Sequence, residues 1–322
     1  MKNIPMKVLA NDGVSQSGID ALTSAGFEVI TTKVAQEQLV NYINQNNISV
    51  LLVRSATTAR KALIDACPSL KVIGRGGVGM DNIDVTYARE KGLSVINTPA
   101  ASSSSVAELV FAHLFGGVRY LFDANRNMPL DGDTRFKELK KNYAKGSELR
   151  GKTIGIIGFG RIGCEVAKIA LGCGMKVIAS DNYVDTADIT LDFFDGQKVT
   201  IEVKTKPIDD LIQQSDFITL HVPAQKQYVI GRAQIEKMKD GAAIINAARG
   251  GVIDEVALIE ALDSGKLSFA GLDTFEKEPT PEVKVLMSHK VSLSPHIGAA
   301  TNEAQDRIGT ELATQIIELF EN

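Results

Sequence analysis

The sequence predicts an α/β chain of two doubly wound parallel-sheet domains, and three observations carry that expectation. Short β-branched runs alternate with helical stretches over the first hundred residues. A glycine turn, Gly158-Phe-Gly-Arg-Ile-Gly163, then sits near mid-chain between a β-branched run and an amphipathic stretch. Beyond it the alternation resumes and runs on to Leu293. Strand–helix alternation of this kind builds a parallel sheet with helices on both faces.

In order, strands are expected at Lys7–Ala10, Phe27–Thr31, Ser49–Val53, Lys71–Ile73 and Leu93–Ile96. Helices fall between them near Ser17–Ala25, Gln36–Asn46, Arg60–Ala66 and Val85–Lys91. This set has the size of a flavodoxin-like domain, whose functional loops should follow the strand C-termini. Two such loops stand out: Arg54-Ser55-Ala56, and Gly74-Arg75-Gly76-Gly77-Val78-Gly79. Asn97-Thr-Pro99 closes the domain. Ser102–Ser105 are expected to cap a long apolar helix from Val106 to about Phe122. The polar, Lys-rich Asp131–Ser147 leads into the glycine turn.

The turn has a full setting: strand Thr153–Ile157, a helix with Ile162, Val166, Ile169, Ala170 and Cys173 on one face, then Val177–Ser180 ending at Asp181. In that setting G-x-G-x-x-G marks a dinucleotide-binding Rossmann unit. Gly158 permits the tight turn, Gly160 lets the backbone approach a pyrophosphate, and Gly163 lets helix and strand pack closely. The helix N-terminus supplies N–H groups and positive dipole to the phosphates. Asp181 should accept hydrogen bonds from the adenosine ribose and repel a 2′-phosphate, which selects NAD over NADP.

Further strands are expected at Phe217–His221, Ala243–Asn246, Phe269–Leu272 and Val291–Leu293, with an extra hairpin over 188–206 around Asp195-Gly196. Glu303–Phe320 reads as one amphipathic helix, free to return to the first domain. The layout is therefore a Rossmann NAD-binding domain, 99–298, inserted into a flavodoxin-like substrate domain, 1–98 plus 299–322. Two crossings between them imply a hinged cleft where substrate and nicotinamide meet.

Composition narrows the class. Hydrophobic residues make up 44% and charged residues 23%, as in a globular enzyme. A net charge of −4 without a basic block argues against a nucleic-acid surface. Met1-Lys-Asn-Ile-Pro-Met-Lys does not read as a signal peptide, and no apolar run approaches the ~20 residues of a membrane span. Cys67, Cys164 and Cys173 are scattered, with the last two read as buried small hydrophobes, and no Cys/His cluster has metal-ligand spacing. A cytoplasmic, metal-free protein is expected.

An NAD enzyme acting on an alcohol needs a proton acceptor and a group that holds the substrate. Four histidines are available. His113 lies on the apolar helix as a packed or interface residue, His289 lies in a polar stretch, and His221 ends a strand on the cofactor side, a wall position more than a catalytic one. His296, in Ser294-Pro-His-Ile-Gly298, directly follows the strand Val291–Leu293, at the edge where active-site loops collect. Arg249, before two glycines, can hold a carboxylate bidentately or serve a buried salt bridge. Acids follow the next strand in Asp273-Thr-Phe-Glu-Lys-Glu278-Pro279. A carboxylate beside His296 would fix its tautomer and raise its pKa.

Together, Gly-Phe-Gly-Arg-Ile-Gly, Asn-Ala-Ala-Arg249-Gly-Gly, Leu-Asp-Thr-Phe-Glu-Lys-Glu278-Pro and Ser-Pro-His296-Ile-Gly-Ala resemble the D-isomer-specific 2-hydroxyacid dehydrogenase family over almost the whole chain. The resemblance implies that Arg249 binds and polarises the 2-oxo acid, His296 is the acid/base and Glu278 its partner. It implies a cofactor site formed by Gly158, Gly160, Arg161, Ile162, Gly163, Asp181, His221, Val222, Pro223, Ala247, Asp273, Gly298 and Ala299. The first half, with Val53-Arg54-Ser55-Ala-Thr57 and Gly74-Arg75-Gly-Gly-Val-Gly79, is most similar to the phosphoglycerate-oxidising branch. By that likeness Gly76–Gly79 meet the substrate carboxylate, beside Ser55, and Arg54 and Arg75 are candidates for a phosphate. Interdomain salt bridges are the other use for these arginines. The resemblance also implies a homodimer or homotetramer; Val106–Phe122 is apolar enough for the interface, and core is the other use for that apolarity. The C-terminal regulatory domains of longer relatives, and serine feedback through them, are not expected. Two rivals stand: a reductase of small 2-oxo acids such as glyoxylate or hydroxypyruvate, and an NAD(H)-sensing binding protein, in which Arg249, Glu278 and His296 would have no use.

Overall fold

The computed structural model describes residues 5–321; Met1–Ile4, where no leader is expected, and Asn322 lie outside the described residues. The chain forms two compact units, Met1–Ser103 with Ala299–Asn322, and Ser104–Gly298.

The first unit runs β1 (Lys7–Ala10), α1 (Gln16–Ser24), β2 (Glu28–Ile30), α2 (Leu39–Asn46), β3 (Ile48–Val53), α3 (Lys61–Ala66), β4 (Val72–Arg75), α4 (Val85–Glu90) and β5 (Ser94–Asn97). Its sheet is parallel, in the order β2-β1-β3-β4-β5. The central strand β3 buries Val50 to Val53 without a polar break, as a strand covered on both faces must. One face takes Leu39, Ile43, Leu63 and Ile64 from α2 and α3. The other takes Leu22 of α1 and Ile308, Leu312 and Ile316 of the C-terminal helix Asn302–Glu321. Each fully buried leucine or isoleucine there contributes roughly 1.5–3 kcal/mol. The last helix thus belongs to the first sheet.

The second unit continues with α5 (Ser103–Val118), α6 (Leu121–Asp131), α7 (Phe136–Asn142), β6 (Thr153–Ile157), α8 (Arg161–Gly172), β7 (Lys176–Ser180), β8 (Thr186–Asp192), β9 (Lys198–Lys204), α9 (Ile208–Gln214) and β10 (Phe217–Leu220). It ends with α10 (Arg232–Lys237), β11 (Ala242–Asn246), α11 (Glu255–Ser264), β12 (Leu267–Leu272), α12 (Val283–Leu286) and β13 (Val291–Leu293). Six strands pair in parallel in the order β13-β12-β11-β10-β6-β7. The order reverses between β6 and β10, which opens a crevice at the strand C-termini there.

Three expectations need correction. The apolar helix stops at Val118, because Tyr120 turns left-handed at φ 55° and α6 leaves at 58°. Ser103–Ser105 form the first turn of α5 instead of preceding it. The polar stretch Asp131–Ser147 is partly helical, as α7. Of the two uses open to α5, interface and core, its residues Val106, Ala107, Val110, Phe111, Leu114 and Val118 serve the core. Among the described residues no single helix is long and apolar enough to cross a membrane. The hairpin over 188–206 is present as β8 and β9, paired from Thr186↔Lys204 to Asp192↔Lys198. It lays Ile189 and Val203 into the core beside Val166 of α8 and leaves Phe193 and Phe194 exposed at its tip.

Candidate active site

The first βα turn of the second unit builds an anion and sugar cradle. Gly158 sits at φ 92°, and a Cβ there would come within 2.7 Å of the His221 carbonyl. At Gly160 a Cβ would meet only open space, so the backbone is approachable. Gly160 offers no side-chain cap to α8, leaving the first-turn N–H groups for a ligand phosphate. Asp181 follows β7 and accepts from Phe159 N at 2.7 Å, Tyr183 N at 2.8 Å and Val184 N at 3.2 Å. A carboxylate has about four lone-pair sites, so one stays open for a ribose hydroxyl.

These residues line a cleft of about 740 Å³ with His221, Val222 and Pro223. His221 is half-buried; its Nε2 lies 3.1 Å from Thr219 Oγ1, while its Nδ1 is shielded from water and has no partner. Burial pushes its pKa down to about 3, so the ring stays neutral and is unsuited to trade protons near pH 7. An orphaned buried nitrogen, an open glycine backbone and a poised carboxylate all fit a dinucleotide. Arg161, Ile162 and Gly163 form the first turn of α8 and Ala247 is buried. Ala299 belongs to the first unit. Sequence reasoning overlooked Asn182, Tyr183, Thr205 to Ile208 and Gln225 in the same wall. Each directly follows the end of β7, β9 or β10, which is the signal that could have found them.

The second cluster is the proton-handling pair. His296 Nδ1 lies 2.9 Å from Glu278 Oε2, and the other Glu278 oxygen accepts from Phe275 N at 3.1 Å. His296 is exposed, at 41% of its side chain, so its Nε2 edge is not committed to the core. Its backbone is left-handed at φ 53°, a conformation that costs a non-glycine residue about 1–2 kcal/mol. Two hydrogen bonds hold it there, from His296 N to Asp273 O at 2.8 Å and to Ser294 O at 3.1 Å.

Asp273 completes the clamp. It is 1% exposed, and its carboxylate accepts from Ser294 Oγ at 2.6 Å, Ile297 N at 2.8 Å and Gly298 N at 2.9 Å. Asp273 and Gly298 thus tie down the His296 loop. Arg249 follows β11; its Nη1 donates to Ala248 O at 2.7 Å, and Asn246 Nδ2 donates to the Arg249 carbonyl at 2.8 Å. A Cβ on Gly250 would run into the Phe275 carbonyl, so the arginine turn abuts the loop that carries Glu278.

In the first unit, the second predicted loop begins later than expected, since Gly74 and Arg75 still pair within β4, and both loops are knitted along the strand C-termini. Asp12, after β1, accepts from Arg54 N at 2.6 Å, Thr57 N at 3.0 Å and Thr57 Oγ1 at 2.7 Å. Asn82 Nδ2 donates to the carbonyls of Arg54 and Thr57. Thr98 N donates to Gly77 O, and Asn97 Nδ2 to Val78 O. Arg54, Arg75 and Gly79 are half-buried, Ser55 and Val78 are exposed, and Gly76 and Gly77 are buried. Asp12 and Asn82 were not anticipated, since a lone acid or amide in a loop has no sequence signature.

His289 is exposed. All three cysteines are free; Cys67 is buried, but Cys164 and Cys173 are half-buried where full burial was expected. Burial raises all three thiols above the usual range. Among the described residues no group of three or more His, Cys, Asp or Glu is placed to hold a metal ion.

Comparison with known proteins agrees with this geometry. Residues 111–298 match the family described as D-isomer specific 2-hydroxyacid dehydrogenase, NAD binding domain. The hydroxypyruvate reductase of Thermotoga maritima is 42% identical over 316 residues, covering 96% of this chain and 97% of that protein. The D-3-phosphoglycerate dehydrogenase of Methanocaldococcus jannaschii is 41% identical over 97% of this chain, which spans only 57% of that longer protein. Among solved structures, a glyoxylate reductase from Paecilomyes thermophila superimposes with a TM-score of 0.82 at 30% identity, over 99% of this chain and 96% of that one.

Proposed function

The chain belongs to the D-isomer specific 2-hydroxyacid dehydrogenases, NAD-dependent enzymes, and we propose that within that family it oxidises 3-phospho-D-glycerate to 3-phosphohydroxypyruvate. The observation that carries the reaction type is the 2.9 Å contact between His296 Nδ1 and Glu278. It fixes the tautomer and leaves Nε2 to take the proton of the C2 hydroxyl. Glu278 stabilises the imidazolium that results, and Arg249 holds the carboxylate and polarises the developing carbonyl. Gly158, Gly160, Asp181, His221, Val222 and Pro223 hold the dinucleotide, with Arg161, Ile162 and Gly163 supplying the helix start. When bound there, NAD supplies the hydride acceptor.

The phosphorylated substrate is supported by Arg54, just after β3, and Arg75, at the end of the neighbouring β4, two guanidinium groups of the first unit. A dianionic phosphate is well matched by such forks. Ser55 and the backbone of Gly76–Gly79 complete the substrate contacts. A second reading, reduction of hydroxypyruvate or glyoxylate, is favoured by the Thermotoga maritima protein, which this chain covers almost end to end. Initial-rate reduction of phosphohydroxypyruvate, hydroxypyruvate, glyoxylate and pyruvate separates the two. We expect phosphohydroxypyruvate to lead in kcat/KM by at least ~10-fold, and Arg54→Met to erase that lead selectively. A lead for hydroxypyruvate that Arg54→Met leaves intact would refute the phosphate assignment.

The reading includes a cytoplasmic homodimer or homotetramer. Phe115, Leu121, Leu130 and Phe136 support it, since they are large apolar residues left exposed on α5 to α7.

A further inference from the structure

We propose that His113, a buried residue of α5, is a positioning residue for the His296 loop, acting through a file of hydrogen bonds that ends on Asp273. The file reads Ser292, His113, Ser294, Asp273. His113 Nδ1 lies 2.8 Å from Ser292 Oγ and its Nε2 lies 3.0 Å from Ser294 Oγ. Ser294 Oγ lies 2.6 Å from Asp273 Oδ1, and Asp273 accepts the backbone N–H groups of Ile297 and Gly298, on the C-terminal side of His296. His113 is 4% exposed, and both serines and Asp273 are buried with it.

The protons can be assigned by elimination. Ser294 donates its hydroxyl proton to Asp273, so it can only accept from the ring. His113 Nε2 must therefore carry its hydrogen, and Nδ1 must accept from the Ser292 hydroxyl. Burial outweighs the pull of Asp273 and lowers the His113 pKa, so the ring is neutral and one tautomer satisfies every partner. An apolar side chain at 113 would leave Ser292 and Ser294 without partners beside a buried carboxylate. Such unmade hydrogen bonds are relieved by local movement, here of the strand end that carries His296. The main chain at His296 is already in a conformation that needs outside support, so this is where that movement would register.

The proposal rests on His296 being the acid/base, and the test separates the two ideas. His113→Leu, His113→Gln, Ser294→Ala and the double variant His113→Leu/Ser294→Ala are compared with His296→Gln for kcat, both KM values and the dissociation constant of NADH. We expect His113→Leu to lower kcat by ~10- to 100-fold, the scale of a small misplacement at a reacting group. NADH affinity should stay within about 2-fold, because Gly158, Gly160 and Asp181, which cradle the dinucleotide, stand outside this file. His113→Gln, whose amide can both donate and accept, should recover most of kcat, and the double variant should be no worse than His113→Leu. A His113→Leu enzyme that loses only thermal stability, with kcat intact while His296→Gln is inactive, overturns the positioning role alone. Retained turnover in His296→Gln overturns the functional reading beneath it. Should His113→Leu not fold, imidazole ¹⁵N shifts of the wild-type protein decide: a neutral ring protonated on Nε2 from pH 6 to 9 supports the file, and an Nδ1-protonated or charged ring overturns it.

Discussion

The two sheets share one strand order over five strands, and their first βα turns do opposite things. After β1 the chain runs Asn11-Asp12-Gly13, and Asp12 folds back to accept from Arg54 and Thr57. Helix α1 is then capped by its own Ser15, which accepts from Gly18 N. After β6 the chain runs Gly158-Phe-Gly160, with Phe159 N held by Asp181 from the end of β7 and no side-chain cap on α8. The first turn fills its own helix entrance and uses a negative charge as internal cement. The second leaves its entrance open to an incoming anion. Topology makes both positions eligible for a ligand, and side chains decide which one takes it.

The sharpest break of that contrast is a matched pair of substitutions. Gly158→Ala drives a Cβ into the His221 backbone at φ 92° and should weaken NADH binding by at least ~100-fold, by distorting the tight turn that presents Gly160 to the pyrophosphate. Gly13→Ala, also left-handed at φ 81° but facing open space, should cost only about 1 kcal/mol of stability and leave NADH titrations unchanged. Equal effects from the two would mean the turns do not differ as described.

Acid should separate the units next. All four histidines lie in the second unit. His221 has a folded pKa of about 3, below the usual histidine value, and that of His113 is lowered in the same direction. The unfolded chain therefore binds more protons below that value. Stability is fully present above about pH 6.5 and falls as pH drops toward 3, by up to ~1.4 kcal/mol per pH unit from His221 alone. In the first unit the shifted acids Asp65 and Asp84 are held below the usual carboxylate range, Asp65 by Tyr87 and Lys91, and Asp84 by Lys61 N and Arg60. Their contributions persist until pH falls through those lowered values. Hydrogen exchange between pH 6.5 and 4.5 should show protection falling in Ser104–Gly298 before the first unit, and His221→Asn should flatten that trend.

Asp12→Ala tests the filled turn. It strands the N–H groups of Arg54 and Thr57 and should cost about 1–3 kcal/mol. The KM for phosphohydroxypyruvate should rise with NADH affinity preserved, which steady-state kinetics and fluorescence titration read together. The smallest effect belongs to the hairpin tip. Phe194→Ser touches an exposed side chain and should move stability by less than about 0.5 kcal/mol in a denaturant titration.

Much of the fold and of the site is legible in the sequence. Apolar strand runs such as Val50–Val53 and the six-residue glycine turn have strong local signatures, so both sheets and the cofactor cradle were legible. The pairing of His296 with Glu278 was legible from motif order, although its geometry depends on a left-handed histidine that no spacing reveals. The end of α5 was not legible, because apolar residues continue past Val118 and only the backbone at Tyr120 breaks the helix. Asp12, Asn82 and the His113 file were also hidden. Asp12, Asn82 and His113 act through partners 25 to 181 residues away, and a single polar residue in a sequence does not point to its partner.

Turnover rests on one proton transfer. His296→Gln, purified as a folded protein, should bind NADH with an affinity within about 2-fold of wild type and lose turnover of its best 2-oxo acid by at least ~10³-fold, within the range expected for a lost general acid. Turnover within about 10-fold of wild type with NADH binding intact would contradict it.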